Sequence, residues 1–325
     1  MSRLEKTVGA RSVLTLLLIT VLLRLGLETG LMQLVDTETL RQPEVYYALS
    51  MLLSAAALGL PVLLFIYLFR PRYMPVLKAQ LAFPPFSAVA RTVLAAMAGA
   101  VMLQLYLTLW ALLLDTLHVP MNAYEVPLPQ NGAQIILAMI AVGVLPAILE
   151  ELLFRGALLE GLRRELPLRT ALILSALLFA LMHGMLEGLP AHIAIGFVLG
   201  LLAIRQNGLQ LPMVYHFTHN ASTLLLSMYL QKMLEGVEAS AQEAQAMDGA
   251  ALFSAVTGIL AMAAAFTFLF IALLRPLVSA KGVLPRKDVL LVPETRLKNR
   301  KTVFLLTAVL LLLLLPSYVL QFFPG

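Results

Sequence analysis

An all-α bundle of membrane-spanning helices is the fold class that this sequence predicts, and three observations predict it. Only 13% of its 325 residues are charged, where an ordinary soluble domain carries roughly a quarter. Hydrophobic residues make up 60% of the chain, and the mean hydropathy is +0.90. The apolar residues also fall in runs near the ~20 needed to cross a bilayer core about 30 Å thick.

Taken in order, the runs are 12–35, 46–69, 92–114, 133–158, 170–186, 190–204, 209–231, 250–274 and 302–321. They predict about eight or nine spans in one integral-membrane domain over residues 1–325, the sixth run being short enough for a half-length or re-entrant helix. The opening MSRLEKTVGAR is basic and leads into the first run without a small-residue cleavage pattern. It reads as a retained first span, not as a removed signal peptide. With the N-terminus in the cytoplasm, the Lys and Arg divide 20 inside to 2 outside, counting Arg155 at the inner end of the fourth run and leaving out Arg24 within the first, the outer pair being Arg41 and Lys232. That asymmetry is the positive-inside signature and sets one alternating topology. The net charge of +5 therefore faces anionic headgroups, and the expected partner is the lipid bilayer, not nucleic acid. The expected location is multi-pass in the cytoplasmic (plasma) membrane. Residues 275–301 form a basic, proline-punctuated segment, expected to be a cytoplasmic linker lying at the headgroups. No cysteine is present, which excludes disulfides, thiolate metal sites and a cysteine nucleophile.

Ionisable groups at membrane depth are costly and point to function. They are few here: Arg24 and Glu28; Glu150, Glu151 and Arg155; His183; and His216 and His219, with Asn220 beside them. Arg24 and Glu28 are four apart and read as a self-neutralised structural pair. Glu151 and Arg155 share that spacing and form a second pair, whereas Glu150, turned about 100° from Glu151, is left to face a cavity. A carboxylate so placed suits a general base. Phe179 and His183 are four apart, so ring and imidazole pack together; His216 and Asn220 aim two polar groups at one region. His192 and His219 read as structural.

Depth ties these stretches together. At 1.5 Å per helical residue, Glu150 lies about 20 Å from Arg163, His183 about 21 Å from Arg169, and His216 and Asn220 about 16 and 22 Å from Arg205. All sit near mid-membrane, with a slight inner bias that favours entry from the inner leaflet. Pro146 and Pro212 each precede a key residue, Glu150 and His216, by four positions. Each is expected to open a helical turn where the backbone lines protein or water and not lipid.

The stretches EELLFRG, FALMH and HFTHN resemble the three motifs of the CPBP family, the type II CAAX prenyl proteases and their bacteriocin-processing and Abi-type relatives. The patterns E-E-x-x-x-R, F-x-x-x-H and H-x-x-x-N occur in order over residues 146 to about 225, placing the catalytic helices within 133–231. The resemblance implies an intramembrane endopeptidase acting on a membrane-associated peptide or protein, of CAAX type or a leader or signalling peptide. It implies Glu150 as general base on water with help from His183, and His216 with Asn220 as stabilisers of the oxyanion. Glu151, Arg155 and Phe179 would be supports. Cofactor expectations divide between none and a divalent metal such as zinc, held by Glu150, His183 and His216, a recognised catalytic donor set. Two other classes share the polar pattern: a non-proteolytic scaffold or partner protein of the same fold, and a proton-coupled transporter. The latter more often shows repeated halves, which this sequence lacks.

Overall fold

The computed structural model describes residues 9–69, 81–119, 126–238, 249–279 and 300–319. Among the described residues there is no strand. The helices are α1 (Ala10–Leu34), α2 (Thr37–Leu40), α3 (Pro43–Leu68), α4 (Phe86–Thr116), α5 (Gly132–Leu162), α6 (Leu168–Leu181), α7 (Leu189–Gln206), α8 (Gln210–Glu238), α9 (Gly249–Ser279) and α10 (Arg300–Val319). Most of the expected linker 275–301 lies outside the described residues, as do the first eight residues.

Six helices, α1, α3, α4, α5, α7 and the Phe253–Ser279 part of α9, are long and apolar enough to cross a membrane. Each of the nine apolar runs does form a helix, but not every helix qualifies as a span. α6 and the apolar part of α10, Lys301–Pro316, are shorter. α8 is long but carries Gln210, His216, His219 and Asn220, which dilute its apolar character. The sixth run, expected to be half-length, is the full 18-residue α7.

Local sequence sets the helix boundaries. Asp36 caps α2 by accepting from the backbone N–H of Thr39 at 2.7 Å and from its hydroxyl, and those bonds hold its carboxyl below the ordinary range. Asn131 caps α5 by accepting from Gln134 N at 3.0 Å. α3 and α7 open with a proline in the first turn, where its missing N–H costs nothing. Pro212 likewise falls in the first turn of α8, so it opens no turn beside His216, contrary to the sequence expectation. Pro61 and Pro146 do what was expected of Pro146: wide π-type turns precede them at Ser54–Gly59 and Met139–Val144. A third wide turn spans Leu152–Leu159 of α5.

α5 is the central element. Residues 153–162 are buried without interruption against α1, α6 and α7, while α3 and α8 pack on the earlier part of α5. The start of α1 is tied to the loop after α5, where Ala10 N donates to Glu165 Oε1 at 2.8 Å. α6 and α7 form a tight hairpin. At Gly196 an added Cβ would lie 3.0 Å from the Ala176 carbonyl and 3.1 Å from Phe179, so only glycine permits that approach. α4 packs on α8 and α9, and α10 on α1.

Candidate functional site

Glu150 and Glu151 leave α5 in different directions, as adjacent helical residues must. The Glu151 side chain is fully buried, while that of Glu150 is 16% exposed and lines a cavity of about 500 Å³. The cavity lies between α1 and α3, and its wall carries Glu150 and His183 together with Arg24, Glu28 and Glu187. The remaining wall is largely apolar, from Leu31 and Met32 of α1 to Leu53 and Leu58 of α3.

Behind this wall is a buried ionic cluster. Arg155 Nη1 donates to Glu151 Oε1 at 2.8 Å and Nη2 to the Gly196 carbonyl at 3.0 Å. Its guanidinium lies 4.4 Å from the centre of the Phe179 ring, which stacks a cation on a π-face in the core. The same Oε1 of Glu151 accepts from His216 Nδ1 at 2.9 Å. A carboxylate so used is acceptor-only, so it fixes His216 with its proton on Nδ1 and turns Nε2 towards Glu150 Oε2, 4.0 Å away. Among the described residues, Glu150 Oε2 has no hydrogen-bond partner.

His183 is fixed in the same manner by a different acceptor. Its Nδ1 lies 2.9 Å from the Phe179 carbonyl, which can only accept, so the proton is on Nδ1 and Nε2 is the basic nitrogen. Phe179 packs edge-on against Phe154 and touches both His183 and His216, with ring centres 4.9 and 5.9 Å apart. Asn220 does not line the cavity; its Nδ2 donates to the Val142 carbonyl at 2.8 Å. That carbonyl is available because its ordinary helical donor, four residues on, is Pro146, which has no N–H. His219 lies beside Tyr215, 6.0 Å between ring centres, and away from the cavity.

Three neighbours of His183 escaped the sequence reading. His192 of α7 stacks on it with ring centres 3.8 Å apart. Arg24 forms the expected pair with Glu28, Nε to Oε1 at 2.6 Å, but also donates to the carbonyl of Met182 and lines the cavity. The Tyr318 hydroxyl of α10 donates to the Ala180 carbonyl at 2.9 Å and accepts from Gly184 N at 3.0 Å. Gly184 itself takes φ 71°, which turns the chain sharply after His183. The end of α6 is thus held from α1 and α10. A clue existed for Arg24, a cation within a span; none existed for Tyr318.

A zinc-type centre would require Glu150, His183 and His216 to converge on one point. Among the described residues no three His, Asp or Glu side chains converge in that way. The arrangement does not fit a preformed metal cage.

Residues 132–222, all of α5 to the middle of α8, match the family model described as type II CAAX prenyl endopeptidase Rce1-like, consistent with the resemblance carried by the three motifs. No curated protein and no solved structure matches the chain.

Proposed function

We propose that this chain, a membrane protein with an Rce1-like endopeptidase domain at residues 132–222, hydrolyses a peptide bond of a membrane-associated substrate with Glu150 as the general base. The observation that carries the reading is the joint placement of Glu150 and His183 on one cavity wall, with His216 4.0 Å behind Glu150. A water between Glu150 and the bare Nε2 of His183 donates one hydrogen to each. Attack on the carbonyl carbon forms the C–O bond as Glu150 takes the proton. The negative charge collects on the former carbonyl oxygen.

His216, when it carries a second proton on Nε2, donates to that oxygen, and Glu151 balances the imidazolium. Asn220 joins His216 only by turning from Val142 towards the cavity, which it does not line in this arrangement. Collapse of the tetrahedral adduct breaks the C–N bond, and Glu150 returns its proton to the leaving amine. Glu151, Arg155 and Phe179 touch no reacting atom in this scheme and act by positioning His183 and His216. The cavity wall suits an apolar peptide segment, whether a CAAX-type tail or a leader or signalling peptide.

The test is hydrolysis of peptide substrates by the purified full chain in detergent. Glu150→Gln and His183→Ala are each expected to lower the rate by about 10²–10⁴-fold, the usual contribution of general acid–base catalysis. Both variants should keep the wild-type elution profile. Wild-type rates in both would end the assignment.

A further inference from the structure

We infer that the catalytic cavity opens at the non-cytoplasmic face, and that the substrate is a polypeptide segment presented from that side: the outer juxtamembrane portion of an inserted or exported chain. This rests on the reading of Glu150 and His183 as the hydrolytic pair, and adds the direction from which they are reached.

Two independent placements carry it. The first is charge. Arg11 stands at the start of α1, Arg91 near the start of α4, Arg163 and Arg164 just after α5, Arg169 at the start of α6 and Arg205 at the end of α7. These ends lie on one side of the bundle, as the bond from Ala10 to Glu165 and the packing of Gly161 on Val13 show for α1 and α5. Segments rich in Lys and Arg stay in the cytoplasm, so this side faces inward.

The second is the cavity lining. From Glu150 and His183 it climbs α1 through Arg24 and Glu28 to Met32, and reaches Leu40 in the connection between α1 and α3. It also takes in Met185 and Glu187 of the connection between α6 and α7. Both connections join helix ends opposite the basic side. Among the described residues, none on the basic side contributes to the wall. Met32, 65% exposed, and Met185, 42% exposed, both line the cavity at that end. The inner-leaflet entry favoured by depth alone gives way to access from outside. An outer segment needs only to enter between α1 and α3.

The absence of cysteine makes the test direct. Single cysteines are placed at Met32, Leu40 and Met185 on the mouth and at Arg169 on the basic side, in the full chain in intact cells. A membrane-impermeant maleimide is added before and after permeabilisation. The expected result is labelling at 32, 40 and 185 in intact cells, with 169 labelled only after permeabilisation. Any other pattern overturns the inference, including the reverse pattern and unreactive mouth positions under both conditions. Position 40, in a short connection, guards against a variant that fails to fold. The readout does not use hydrolysis. The same pattern is expected in a Glu150→Gln background, so failure of the sidedness and failure of the hydrolytic assignment are told apart.

Discussion

Removing the Arg155 guanidinium isolates the most consequential interaction in the core. Arg155 and Glu151 are both fully buried in their side chains, 2.8 Å apart. Arg155→Ala leaves a carboxylate in the hydrocarbon interior with His216 as its remaining hydrogen-bond donor, removes the side-chain donor to the Gly196 carbonyl, and vacates the face of Phe179. Breaking a buried pair by deleting one partner costs about 3–5 kcal/mol, because the survivor is an uncompensated charge. For a chain of 325 residues that corresponds to a drop in unfolding midpoint of about 4–7 °C. The assay is thermal unfolding of the purified protein in a fixed detergent, alongside Glu151→Gln and the double variant Glu151→Gln with Arg155→Met. If stranded charge is the origin of the loss, the double variant recovers most of the midpoint while remaining inactive, since His216 has lost its anionic support. An unchanged midpoint in Arg155→Ala, or a double variant that falls by the sum of the singles, refutes the reasoning.

Further expectations concern the residues around that cluster. Tyr318→Phe removes one of the bonds made by the Ala180 carbonyl and by the Gly184 N–H, each of which keeps a backbone partner, at a cost of about 0.5–1.5 kcal/mol per bond, and should lower kcat for peptide hydrolysis more than it raises KM; an unaltered kcat removes Tyr318 from the positioning of His183. Gly196→Ala drives a methyl to 3.0–3.1 Å from α6 and is expected to cost about 1–3 kcal/mol by overpacking, read as a lower unfolding midpoint; a neutral result means the α6–α7 hairpin yields more than its packing suggests. Exhaustive chelation is expected to leave hydrolysis intact, because Glu150, His183 and His216 do not converge; loss of activity restored by zinc alone would contradict this.

The helical membrane architecture was legible because lipid imposes a single simple rule on composition and run length. Helical phase also separated Glu150 from Glu151, since spacing alone puts Arg155 under one of them. What stayed illegible depends on contacts between distant helices. His192 read as structural, yet it stacks on His183 because the α6–α7 hairpin is tight. Arg24 was correctly paired with Glu28, but helical spacing could not reveal that its other N–H groups reach Met182. Tyr318 gave no signal, being an aromatic in an apolar run near the chain's end. Pro146 and Pro212 occupy the same offset from a key residue and differ in effect: one falls inside a helix and the other in a first turn, a distinction that needs the helix start.

The wide turn at Met139–Val144 has a consequence for how this chain tolerates change in length. A wide turn houses one surplus residue relative to a regular helix. Deleting a single residue there would let the helix close into its ordinary form with the downstream phase kept, whereas a deletion in a regular stretch of the same helix would swivel everything downstream by about 100° about the axis. The carboxylate that now looks into the hollow would be swung onto a neighbouring helix without any change in its chemistry. The wide turn therefore acts as an angular setting: a one-residue trim within it should leave the protein active, and the same trim in the regular turns beside it should silence the protein and cost it stability.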